Sequence, residues 1–210
     1  MVTTSTSRWS SVEQWSPTLF LIGGGLMVGH AALLGVQAFT NLSTPPDVFG
    51  PTGHLVALLG LVGLYPVLAA RTPSVARIAG AVTAVALVSW FVMTVTRLLA
   101  IAGTVSAVSD VLPSVFLMLM FVSTVLVYVL FGVITVRIDD DSRIVGLLVL
   151  TPAVLISIVL VDSAITGVTA LDGVVIGGGL ALSMLSVGYT LRTWNRPTDS
   201  ATPAGKVAAG

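Results

Sequence analysis

Four residues of this chain, His30, His54, Arg97 and Asp162, are ionisable and fall in or beside long apolar stretches. A titratable group in such surroundings is costly unless paired or wetted, so these are the places to seek chemistry. Arg97 lies about 20 residues into a stretch that starts at an arginine-bearing joint, and Asp162 about 19 residues into another that starts on the same side. Equal counted depth makes the two a candidate pair. His54 opens a further stretch from the far side and completes a candidate polar cluster of His54, Arg97 and Asp162. The plainer reading is that Arg97 reaches the headgroups along its apolar stem and Asp162 sits at a helix end.

His30 is expected well inside the membrane, about 10 residues before the end of its stretch, while His54 is expected about 10 Å or more nearer the surface. A haem held by both imidazoles needs them at one depth, so neither haem nor any other cofactor is expected. A histidine with one of Met27, Met93, Met118, Met120 or Met184 stays open as a ligand pair, although methionines in helices usually serve packing. Hydrolytic chemistry finds no complete set. His-Glu-x-x-His and Gly-x-Ser-x-Gly are absent, and only two histidines exist to activate a serine. Without cysteine there is neither disulfide nor thiolate metal site. The run Asp139-Asp140-Asp141 reads as a solvated loop rather than a metal site.

The elements that must position these groups follow from composition. With 55% hydrophobic and 9% charged residues, the chain cannot cover itself with a water-soluble surface. Its 210 residues divide into six segments of roughly 20, the length that crosses about 30 Å of hydrocarbon. The segments are 17–40, 54–70, one beginning after Arg77, one that starts with the cap-like Ser109-Asp110 followed by Pro113 and continues to Val136, 144–161 and 173–191. Pro66 should kink the second near one end, and the fifth holds Pro152. Ser109-Asp110 reads as a helix cap ahead of the fourth. The expected fold is therefore an all-α integral membrane bundle of six transmembrane helices. Residues 1–16 form a polar cytoplasmic leader with Trp9 and Trp15 at the interface, and 192–210 a disordered cytoplasmic tail. Val36-Gln37-Ala38 has the look of a signal-peptidase site, but the apolar run before it is too long, so the first segment reads as an uncleaved anchor.

Orientation comes from the joints, because positive residues resist translocation. Arg8, the pair Arg71 and Arg77, the pair Arg137 and Arg143, and Arg192, Arg196 and Lys206 all fall on one side. The alternate joints hold Asp47, Asp110, Asp162 and Asp172 without a lysine or arginine, so both termini are expected in the cytoplasm. Only Arg97 breaks the pattern. Asn41-Leu42-Ser43 forms a glycosylation sequon on an expected outer joint.

Gly25 with Gly29, and Gly173 with Gly177, have the four-residue spacing that lets helices approach closely, and are expected to pack helices within the monomer. Gly60 and Pro66 on the second segment repeat in Gly146 and Pro152 on the fifth, a faint hint of an inverted duplication. Eight arginines against one lysine, with abundant Val, Ala and Gly, resemble small multispanning proteins of GC-rich prokaryotes. The string Gly60-Leu-Val-Gly-Leu-Tyr-Pro66 with Arg71-Thr-Pro73 resembles a six-helix membrane family without an assigned activity.

The leading functional expectation is a non-enzymatic module of the cell membrane, an accessory subunit whose partners are the lipid bilayer and other membrane proteins. The net charge of zero gives no case for nucleic acid. The alternative is a small-solute or ion transporter with Arg97 and Asp162 at its outer side, and a weaker one a haem-binding electron carrier.

Overall fold

The computed structural model describes residues 6–40, 42, 45–105, 112–138, 142–165 and 170–194. Seven helices account for nearly all of them: α1 (Thr6–Thr40), α2 (Phe49–Val62), α3 (Tyr65–Arg71), α4 (Pro73–Ile101), α5 (Ser114–Ile138), α6 (Arg143–Ile165) and α7 (Ala170–Trp194). In lipid no water satisfies exposed backbone groups, so apolar segments close their hydrogen bonds as helices. Five helices, α1, α4, α5, α6 and α7, are each long and apolar enough to cross a membrane. α2 and α3 reach that length together, bent by 41° at their junction. The chain is thus a helical membrane protein.

Local chemistry sets where each helix starts. Asp47 accepts the backbone N–H groups of Phe49 (3.0 Å) and Gly50 (3.3 Å), so α2 begins five residues before the position expected for it, His54. Pro51 is tolerated because the first turn has no intrahelical partner for its missing N–H. Pro66 starts α3 as a new helix at the bend, whereas Pro152 lies inside an unbroken α6. The Gly-Pro echo therefore has different structural outcomes in its two copies. α4 begins at Pro73, ahead of Arg77. α1 already starts at Thr6, so the second half of the expected leader is helix continuous with the span. Its 35 residues extend about 50 Å at 1.5 Å per residue, more than a bilayer core requires. The cap at Ser109-Asp110, the sequon residues Asn41 and Ser43, the triple aspartate and the tail from residue 195 lie outside the described residues.

The spans pack in chain order, α1 on α2, α2 on α4, α4 on α5, α5 on α6 and α6 on α7, and α7 returns to α1. Small residues make these seams possible, because apolar area alone does not favour a helix neighbour over lipid. A Cβ on Gly23 would lie 2.9 Å from the carbonyl oxygen of Gly53 across α1 and α2, and one on Gly188 would lie 2.8 Å from that of Pro17 across α7 and α1. Gly24 faces Leu185, Gly29 faces Phe49, Gly173 faces Leu34, and Gly177 faces His30 and Ala31. Gly25 differs from the expectation of a packing residue: a Cβ there meets nothing within 4 Å. One residue is a 100° turn of the helix, so the seams use Gly23 and Gly24 and leave Gly25 facing outward.

Hydroxyl groups of α4 bond back to their own helix, as Thr83 does to the Ala79 carbonyl, Ser89 to Val85 and Thr94 to Trp90, whereas Ser16 reaches the Gly60 carbonyl of α2 and Ser183 the Leu148 carbonyl of α6. Bonding back satisfies the α4 hydroxyls without a partner helix. At one end of the ring Phe20, Leu58, Leu61, Tyr128, Phe131 and Met184 fill the centre. The other end, which carries the α1–α2 connection, is not filled in this way.

Candidate functional site

That end holds a cavity of about 540 Å³ to which α1, α2, α4, α5, α6 and α7 contribute. Its walls are apolar, from Met93 on α4, Leu117, Met120 and Phe121 on α5, Ile156 and Leu160 on α6, and Ile176 and Leu180 on α7. Four polar groups line it, His30, Asp47, His54 and Arg97.

At the rim, His30 Nδ1 lies 2.6 Å from Asp47 Oδ2, with side chains 22% and 18% exposed. A carboxylate can only accept, so Nδ1 carries the hydrogen. The pair is held on three sides. Asp47 uses its other oxygen to cap α2, while Gly50 and Gly177 leave room for the imidazole. A Cβ on Gly50 would come within 2.9 Å of His30 Nδ1, and one on Gly177 within 3.1 Å of Cδ2. Burial works to raise the pKa of Asp47, but the hydrogen bond and charge of His30, with the two backbone N–H groups, outweigh it and hold the carboxyl below its ordinary value.

His54 lies deeper than His30, not shallower as its counted position implied. Gly50 is level with His30, and His54 follows one helical turn later toward the centre. The cause is the early start of α2 under the Asp47 cap. The two histidines therefore line one cavity, and the separation in depth that argued against a shared ligand does not hold. The His54 ring stacks on Trp90 at 4.3 Å between centroids and 23° between planes. Its Nδ1 is buried without a hydrogen-bond partner. Trp90 is fixed in turn: its indole N–H donates to Thr124 Oγ1 (2.8 Å), Thr124 donates to the Met120 carbonyl (2.6 Å), and Phe121 meets it edge-on at 5.9 Å.

Arg97 lines the same cavity one turn before the end of α4. Among the described residues it has no carboxylate partner, and its Nε is buried without a hydrogen bond. Asp162, its candidate partner, lines a separate groove with Val129, Ala153 and Ile158. α5 stands between α4 and α6 in the ring, so equal depth does not make Arg97 and Asp162 neighbours.

Reasoning from sequence passed over Asp47, Gly50 and Trp90. Asp47 had a readable signal, since an aspartate just before an apolar run with proline in its first turn marks a helix start. Trp90 had none, because its role depends on which face of α4 turns inward. Chemically, the cavity offers an unpaired guanidinium, an imidazole and aromatic faces inside apolar walls. No protein-family model, curated protein or solved structure matches this chain, so its functional reading rests on the residues of this cavity.

Proposed function

We propose that this chain is a non-enzymatic, six-span protein of the cell membrane, with both termini cytoplasmic, that takes a small amphipathic monoanion into the cavity at its outer end. α2 and α3 serve as one broken span in this reading. The carrying observation is Arg97, a cation lining a mostly apolar cavity and without a salt-bridged acid among the described residues. A guanidinium is always charged, and its desolvation is offset when an anion accepts its hydrogen bonds. The ligand class that fits is a carboxylate on an apolar or aromatic body, with Trp90, Phe121 and Met93 beside the body. This supports a solute-handling role over that of a purely structural subunit.

Benzoate is the probe for full-length protein in nanodiscs, read by tryptophan fluorescence. At roughly −0.5 kcal/mol for each of its nine heavy atoms, binding is expected on the order of 1 mM, with benzyl alcohol binding more than tenfold more weakly. Arg97→Gln should weaken benzoate at least tenfold, the value of a charge-assisted hydrogen bond, and leave benzyl alcohol unchanged. Equal affinity for the two probes in the wild type would overturn the anion reading.

The assigned sides are tested with reporters. Fusions at Asp47 and Asp172 should report the outside, and those at Thr72 and Arg143 the cytoplasm, because arginine placement directs insertion. Opposite-side signals at Asp47 and Asp172 would break the six-span arrangement.

A further inference from the structure

We infer that the cavity takes its anion together with one proton, which lands on Nε2 of His30; the inference rests on the anion reading above.

Three elements and one connection bring the charged and titratable groups to the cavity. His30 comes from α1, Asp47 from the α1–α2 connection, His54 from α2 and Arg97 from α4. α5, α6 and α7 contribute apolar side chains and glycines to the lining, and Asp172 is the neighbouring acid at the start of α7. Asp47 is kept ionised by the contacts that hold its pKa down. Its negative charge and the positive charge of Arg97 cancel, so with neutral His30 the cavity is balanced while empty. A monoanion entering alone would leave one uncompensated negative charge among apolar walls, an expensive state in a low dielectric. With a proton on His30 the complex is balanced again.

His30 is the group built to accept that proton. Its Nδ1 hydrogen is committed to Asp47 at 2.6 Å, so the open position is Nε2. Asp47 then faces an imidazolium, and the contact becomes a charge-assisted pair. His54 has no acid bonded to it and stacks on Trp90, so no comparable ion pair supports a proton there. Gly50 and Gly177 confine the His30 ring, which keeps the pair in register. Histidine is also the side chain whose charge changes between about pH 5 and 8. The proton comes from bulk water and no other bond changes.

The sign follows from linkage. A proton taken up with the anion means that affinity rises as pH falls, by at most tenfold per unit for one proton, and reciprocally that the anion promotes proton uptake.

The test uses benzoate and the full chain in nanodiscs between about pH 5.5 and 8.5, with proton uptake followed in weakly buffered solution. The wild type should bind more tightly toward low pH and take up close to one proton per benzoate at the high end. His30→Gln should lose the pH slope and the uptake, and at every pH bind more weakly than the wild type does even at the high end. Asp47→Asn, whose side-chain oxygen still caps α2, removes the negative charge. It should therefore bind benzoate at high pH as tightly as the wild type does at low pH, a gain that damage to structure would not produce. Benzoate binding without pH dependence or proton uptake in the wild type would overturn the coupling and leave the anion reading standing. A slope that survives in His30→Gln would overturn the assignment to His30. No binding by the wild type at any pH would sink the anion reading and the coupling with it.

Discussion

Gly146→Ala is expected to lower the stability of the detergent-solubilised protein by about 3 kcal/mol or more, enough to deplete the monodisperse species on size exclusion after mild heating. A methyl there would lie 2.6 Å from the backbone nitrogen of Val136 and 2.8 Å from the carbonyl oxygen of Gly132. Those atoms belong to the α5 backbone, so the clash cannot be relieved by a rotamer change. Relief requires moving α5 away from α6, and α5 also carries Met120 and Phe121 to the cavity and Thr124 to Trp90. Gly25→Ala is the control, because its methyl meets nothing within 4 Å. It should be neutral, or stabilising by up to about 1 kcal/mol through helix propensity. Equal melting of the two variants would show that the α5–α6 approach is not as close as described.

Trp90→Ala is expected to cost about 3–5 kcal/mol and to abolish benzoate binding, since it empties a large buried site and removes the surface against which His54 stacks. Thr124→Val should cost about 1–3 kcal/mol by leaving the indole N–H buried without its acceptor. The two changes share one hydrogen bond, so the double variant should lose less than the sum of the singles. Thermal melts of the four proteins decide it. Strict additivity would mean that Trp90 and Thr124 act independently despite their 2.8 Å contact.

Membrane residence and helical structure were legible from apolar length and the scarcity of charge, whereas the starts of α2 and α4 were not. Depth along the membrane normal was legible as well, to within the error of a helix start. His54 shows that error: a start at Phe49 instead of His54 carried it a full turn deeper and put it in the cavity with His30. The bend at Pro66 was foreseen, while the continuity of α6 through Pro152 was not.

Rotation about each helix axis was decided only by the tertiary structure. In a soluble helix the apolar face points inward and reveals the rotation, but here both lipid and protein neighbours accept apolar side chains, so the pattern around the helix carries little direction. For this reason Gly25 could be counted into a packing stripe when the seams use Gly23 and Gly24, and Arg97 could be matched to Asp162 at equal depth when α5 stands between their helices. Apolar length along the chain marked the long helices but misplaced His54 relative to His30 in depth. The packing of the helices around one axis decided which polar groups meet, and it brought His30, Asp47, His54 and Arg97 to one cavity while turning Asp162 away.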